Sequence, residues 1–364
     1  MSVVRVLIAP DAFAGTLTAV EAARAIADGW SHRAPQDQLD LAPMSDGGPG
    51  FVDVLHEALG GELSVVTVTG PHLEQIPGVV LTKGERAWIE SAQACGLALT
   101  GAERPEDATT WGVGQLIASA ISAGTTDIVV GLGGSGTNDG GAGLLGALGA
   151  TADRPLDAGV AGLAGITQVD LAPALACLRG VRLTAATDVD SPLIGMFGAT
   201  KTYGPQKGIA EERLPAVDGI LEQLAAATDR RTSLQEGAGA AGGLGFALLL
   251  LGAARRPGLE VVAEAVDLAG RARAADLVLT GEGAFDFSTR AGKVPYGVAA
   301  VAAEAVRPCV VLAGRVLVGA REMRALGVES AYSLVDVVGE ERALDDPAGS
   351  LTVLAERVSR TWSH

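Results

Sequence analysis

Hydrophobic and polar positions alternate between two periods along the chain. Short β-rich runs at Val3–Ala9, Leu39–Pro43, Leu63–Thr69, Ile128–Leu132, Leu183–Thr187, Leu277–Thr280 and Val310–Ala313 read as strands, most of them bounded by Gly, Pro, Asp or Asn. Between them, Ala19–Trp30, Phe51–Leu59, Val113–Ile121, Gly143–Leu148, Ala210–Ala227, Ala240–Leu251 and Gly297–Ala305 carry helical spacing. Such alternation predicts an α/β protein with largely parallel sheets. Asp345-Asp-Pro-Ala-Gly-Ser predicts one more helix start near the C-terminus.

Composition refines this picture. A chain of 364 residues suggests two or three domains. Aromatics make up only 4% and glycine contributes 50 residues, so small aliphatics do the packing and many glycines serve the backbone. The net charge of −16 argues against a nucleic-acid partner. Cys95, Cys177 and Cys309 are far apart and odd in number, which suits reduced thiols. The longest apolar run, Phe246 to Ala254, is too short to span a bilayer, so no membrane partner is expected and a cytoplasmic location is the default.

The chemistry concentrates where strands end in Gly and Asp, the edge at which open α/β sheets bind ligands. Asp11 closes the first strand, and Thr18 is placed to cap the helix after it. Asp46-Gly47-Gly48 is either an anion nest or a plain turn. The densest segment, Gly131 to Gly143, includes Gly133, Gly134, Ser135, Thr137, Asn138 and Asp139, and suits a phosphate at a helix start. Gly131–Gly136 also matches G-x-G-x-x-G, a weak dinucleotide signal, with Asp153 as its acid.

Asp188 and Asp190, two apart in an extended run, are able to converge on a nucleotide Mg2+ or to form a solvated acidic turn. Lys207 offers a cation for phosphate. Glu236 to Gly245 is either a phosphate loop or a close crossing of small residues. In Thr280 to Pro295, Glu282 or Asp286 is a candidate acceptor of a hydroxyl proton, and Thr289, Arg290 and Lys293 are candidate donors to an anion. No P-loop motif is present, and the four His lie outside all of these segments.

In this order, PDAFAGTLTA (10–19), PMSDGGPG (43–50), GLGGSGTNDGGAGLLGALGA (131–150), DVDSPLIG (188–195), YGPQKG (203–208), GAGAAGGLG (237–245) and TGEGAFDFSTRAGKVP (280–295) resemble the type I glycerate kinases across nearly the whole chain. The resemblance implies ATP-dependent phosphorylation of glycerate, with 2-phosphoglycerate as the expected product, and Mg2+ as companion ion. It implies two α/β domains: a discontinuous one, residues 1–75 plus 290–364, and an inserted flavodoxin-like one, residues 76–289, with the active site in the cleft between them.

The roles that follow are catalysis by Asp188, Asp190, Glu282, Asp286 and Lys293, with Asp188 and Asp190 on the metal. Acceptor binding falls to Asp11, Asp46, Gly47, Thr289 and Arg290. Nucleotide binding falls to Gly133, Gly134, Ser135, Thr137, Asn138, Asp139 and Lys207. A homodimer is a candidate assembly. The chain departs from the family pattern at Ala12 and Ala14 (Ser and Lys are usual), at Pro49 and Phe51 (Glu and Thr), at Ala284 (Arg) and at Ala291 (His). Arg290 is a candidate replacement for the lost charge. Other readings are a kinase of a related hydroxy acid, a nicotinamide-dependent dehydrogenase and a non-catalytic nucleotide or metabolite sensor.

Overall fold

The computed structural model describes residues 3–13, 15–286 and 293–363. In chain order the strands are β1 (Arg5–Ile8), β2 (Gln38–Leu41), β3 (Glu62–Thr69), β4 (Gln75–Lys83) and β5 (Arg86–Glu90). They continue with β6 (Asp127–Gly131), β7 (Thr151–Ala152), β8 (Val169–Asp170), β9 (Arg182–Ala186) and β10 (Ala254–Arg256). The last three are β11 (Leu277–Phe285), β12 (Cys309–Val316) and β13 (Ser330–Ser333). Helices fill most of the intervals, as the alternating periods predict.

The chain divides into two compact units. The first comprises Met1–Asp46, Asp53–Leu59 and Leu259–His364, and the second Gly47–Val52 and Gly60–Gly258. The boundaries differ from those expected at residues 75 and 290, for a reason set by strand pairing. β3 pairs antiparallel with β4 over Glu62–Thr69, which holds residues 60–75 in the second unit. β11 pairs parallel with β1, which draws the stretch before residue 290 into the first.

The first unit holds a parallel five-stranded sheet in the order β13-β12-β11-β1-β2. Numbered within the unit this is 2-1-3-4-5, the flavodoxin-like order. That order was expected of the inserted stretch. It belongs instead to the unit built from the chain's two ends, because β1 takes β11 as its second neighbour. Val6, Ile8, Leu277, Leu279, Val310 and Leu312 bury one face of the sheet under the helices Ala19–Arg33 and Pro347–Trp362. The first of these helices opens with a capping box between Thr18 and Glu21, and the second is capped by Asp346 with Pro347 in its first turn.

The second unit holds a mixed sheet in the order β10-β9-β6-β5-β4-β3, parallel from β5 to β10 and antiparallel from β3 to β5. β4 and β5 are absent from the expected strands. Pro77 and Gly78 interrupt the β-rich pattern of β4, and β5 is a run of only five residues.

The two N/C-terminal helices meet closely at Gly29, where an added Cβ would lie 2.1 Å from the Thr352 carbonyl oxygen. Gly219 is also helical but has open space around it. Gly29→Ala is expected to cost about 1–3 kcal/mol through overpacking. Gly219→Ala is expected to gain roughly 0.5–1 kcal/mol from helix propensity alone. Urea-unfolding midpoints of the two variants check both signs.

Candidate functional site

In the first unit the crossover from β1 leads to β2 and the crossover from β11 leads to β12, so the chain leaves neighbouring strands in opposite directions. A crevice opens at such a switch point, beyond the carboxyl ends of the strands. Backbone pairing continues past β1 into this crevice. The Ala9 N–H donates to the Leu279 oxygen at 2.7 Å and the Asp11 N–H to the Gly281 oxygen at 2.8 Å. The Thr280 hydroxyl donates to the Ala9 oxygen at 2.8 Å. Asp11 is thereby set beside the end of β11, where Glu282 and Asp286 lie.

The result is a crowded group of acids. Glu282 is buried, and Asp11, Asp46 and Asp286 are partly buried. The Lys293 ammonium is 3.9 Å from Glu282 Oε2 and 3.8 Å from Asp286 Oδ1. Asp11 accepts a bond from the Ala12 N–H at 2.8 Å. Burial is the largest influence on Asp11 and raises its pKa from 3.8 to about 8, with the charges of Asp46 and Glu282 adding to the rise. The Ala12 bond and Lys293 oppose it. One carboxyl of the group therefore holds its proton at neutral pH, a condition suited to proton transfer. Thr289 and Arg290 lie outside the described residues.

The second unit presents its own strand-end loops, and the glycines there have a different cause from the one expected. A Cβ on Gly133 would stand 2.3 Å from Gly48 Cα, and one on Gly131 would stand 2.6 Å from the Gly47 oxygen. The Gly133 N–H donates to that same oxygen at 3.0 Å. The segment 131–134 is therefore glycine-rich in part because the 47–49 backbone lies directly on it. Glu90, which the sequence reading passed over, secures this contact by accepting from the Gly50 N–H at 3.0 Å and the Val52 N–H at 3.4 Å. Its signal was faint: one acid ending a short apolar run.

The polar residues that follow turn inward. Asp139 is fully buried and accepts from the Thr110 N–H and hydroxyl, both at 2.8 Å, and from the Gly141 and Gly143 N–H groups. It orders the start of helix Ala142–Ala147, and these bonds occupy the carboxylate that the sequence reading offered to the nucleotide. Buried Asn138 donates to the Thr200 hydroxyl at 2.9 Å. Lys207 is also buried, with its ammonium 3.0 Å from Ser135 Oγ and 2.7 Å from the Thr137 oxygen. Of the residues expected to hold nucleotide, Gly133 and Gly134 reach solvent, while Ser135, Thr137, Asn138, Asp139 and Lys207 are buried. Around Gly239–Gly243 the packing is equally close. A Cβ on Gly242 would meet the Thr137 oxygen at 2.0 Å, a crossing of small residues.

Asp190 is exposed at the end of its loop. Its carboxylate pairs with Arg255, which also lies 3.6 Å from Glu236. Among the described residues no three His, Cys, Asp or Glu groups form a metal-holding cluster. The donor set therefore does not amount to a ready-made magnesium cage, although Mg2+ needs only one or two protein carboxylates once phosphates and waters supply the rest.

Comparison with known proteins decides the family. The family model described as "Glycerate kinase family" matches residues 6–363. The chain belongs to the glycerate kinase family. It is 37% identical to a glycerate kinase of Halalkalibacterium halodurans over 98% of this chain and 96% of that one. It is 35% identical to the glycerate 2-kinase of Escherichia coli K12, over 92% of this chain and 91% of that one. A crystal structure described as glycerate kinase 2 from Salmonella typhimurium LT2 superposes with a TM-score of 0.82 at 35% identity, covering 99% of this chain and 98% of that one. The protein is accordingly a kinase of α/β fold. No helix among the described residues is long and apolar enough to cross a membrane.

Burial lowers the Lys207 pKa from 10.5 to about 8, with Cys95 and Asp139 opposing the change. Between those values the unfolded chain binds a proton that the folded chain does not, so this group's contribution to stability grows as pH rises from 8 to 10.5. Compared with Lys207→Met, the parent protein is expected to gain stability over that window. Urea unfolding at pH 7.5 and pH 10 measures the difference.

Proposed function

We propose that the protein transfers the terminal phosphoryl group of ATP to the 2-hydroxyl of glycerate, giving 2-phosphoglycerate, with Asp11 in its ionised form taking the hydroxyl proton. The observation that carries this reading is the acid group at the β1/β11 switch point, whose Asp11 carboxyl is raised to about 8. Phosphoryl transfer asks little covalent chemistry of a protein and depends on positioning and electrostatics. A base whose pKa lies near the working pH is the most efficient proton acceptor. Glu282 and Asp286 lie near Lys293. They are assigned to orienting the acceptor and that ammonium, which in turn neutralises charge on the phosphoryl group.

Family membership supports the donor and the companion ion. Gly133 and Gly134, the solvent-reaching part of their loop, and the nearby strand-end residue Asp188 are assigned to the nucleotide. Magnesium, arriving with ATP, is assigned to Asp188. When bound, the ion would neutralise phosphate charge. The choice of the 2-hydroxyl follows the Escherichia coli relative's name, glycerate 2-kinase.

A coupled ADP-release assay across small hydroxy acids, with the product read by phosphorus NMR, tests the activity. D-Glycerate is expected to be the preferred acceptor and 2-phosphoglycerate the product. Absence of turnover with every acceptor would overturn the reading. For the mechanism, kcat/KM is expected to rise with pH through about 8 as Asp11 ionises. Asp11→Asn is expected to lower kcat by about 10²–10⁴-fold and abolish that limb. A variant that keeps both its rate and its pH profile would remove Asp11 from the role.

A further inference from the structure

The sheet of the second unit ends in β3, which pairs with β4 on one side and, among the described residues, with no strand on the other. Its side chains alternate. Val66 and Val68 pack into the core, while Leu63, Val65 and Thr67 are exposed, Val65 at 72%. The hydrogen-bond phase of the strand follows from its turn. The Gly70 N–H donates to the Glu74 oxygen at 2.7 Å, so in the β3–β4 register the even-numbered residues of β3 bond to β4. The odd-numbered residues point their N–H and C=O groups the other way. Two observations agree with this phase. Thr67 lies opposite Pro77, which has no N–H to give. The outward Thr69 N–H donates to the Gln115 side chain at 2.6 Å. That bond closes one end of the edge, and the outward backbone groups of Leu63, Val65 and Thr67 form its open part.

Sheet edges are usually defended by Lys, Pro or a bulge. β3 reads Glu-Leu-Ser-Val-Val-Thr-Val-Thr in unbroken register, with Glu62 at its start as the single charge. The three open residues define their own complement. Among the registers of an antiparallel copy of β3, the one with a two-fold axis at Val65 pairs all three at once. Val65 meets the partner's Val65, and Leu63 meets the partner's Thr67. Every outward N–H and C=O of the three then has a partner. Glu62 falls opposite the partner's Val68, so no like charges meet, and the exposed Val65 side chains become cross-strand neighbours. We propose that β3 is the interface of a homodimer, in which two copies of the chain join their six-stranded sheets edge to edge about a two-fold axis at Val65.

Sedimentation velocity of the intact protein from micromolar to sub-millimolar concentration tests this, and a dimer is expected. Val65→Lys sets two ammonium groups against each other at the axis and is expected to weaken dimerisation at least tenfold. Val65→Thr, which keeps the β-branch, is expected to leave it unchanged. Circular dichroism establishes that both variants are folded. The register is read by cross-linking in a Cys177→Ser background, which removes the exposed native thiol. On mild oxidation Val65→Cys is expected to give a disulfide-linked dimer, because paired positions at the axis lie about 5.5 Å apart between Cα atoms. Leu63→Cys is expected to give none, because the two copies of that position lie about 13 Å apart along the strands. A chain that stays monomeric throughout, a dimer that survives Val65→Lys, or cross-linking through Leu63→Cys in place of Val65→Cys would overturn the proposal. Assembly is read without turnover, so the outcome is independent of the phosphorylation reading.

Discussion

The parallel pairing of β1 with β11 is the constraint on which the first unit depends. It joins Val6 to Leu277 and Ile8 to Leu279, residues 271 positions apart in a chain of 364. Without it, the N-terminal βαβ piece and the C-terminal strands would be separate fragments, each exposing a sheet edge. With it, the strand order reverses at β1, and two chain ends rich in acids share a single crevice. The burial that drives this pairing also desolvates Asp11, so stability and chemistry have a common origin here.

The second unit depends on close backbone approach. Its parallel strands end in loops that meet Gly47–Pro49 on one side and Gly239–Gly243 on the other, at distances that leave no room for a Cβ. Asp139, Asn138 and Lys207 then satisfy the buried polar groups that such tight packing creates. A buried lysine whose ammonium bonds to a hydroxyl and a carbonyl oxygen holds a loop in shape, and its lowered pKa records the burial.

Much of this was legible in the sequence, and the exceptions have physical reasons. Period and punctuation located most strands, the Thr18 cap and the helix starting near Asp346. Gly-Asp strand ends drew attention to Asp11 and Glu282. Sequence could not distinguish a glycine that admits a phosphate from one that admits another backbone, because both need the same missing Cβ. Nor could it separate an aspartate that meets a ligand from one that caps a helix: Asp139 and Asp11 sit in similar local patterns. Only the buried partners of Asp139 and the crowding around Asp11 tell them apart. The flavodoxin-like order was assigned to the wrong stretch because pairing between β1 and β11 leaves no local trace. Glu90 and Arg255 were missed because their roles depend entirely on groups distant in sequence.

Burial at the β1/β11 switch point, with the charges of Asp46 and Glu282 adding to it, leaves Asp11 protonated at neutral pH. Carbon-13 NMR titration of the Asp11 carboxyl, assigned through Asp11→Asn, measures this directly. The account predicts a midpoint near 8. It also predicts a lower midpoint in Glu282→Gln, where one of the raising charges is gone. A midpoint near the ordinary aspartate value of about 4, unmoved by Glu282→Gln, would contradict it.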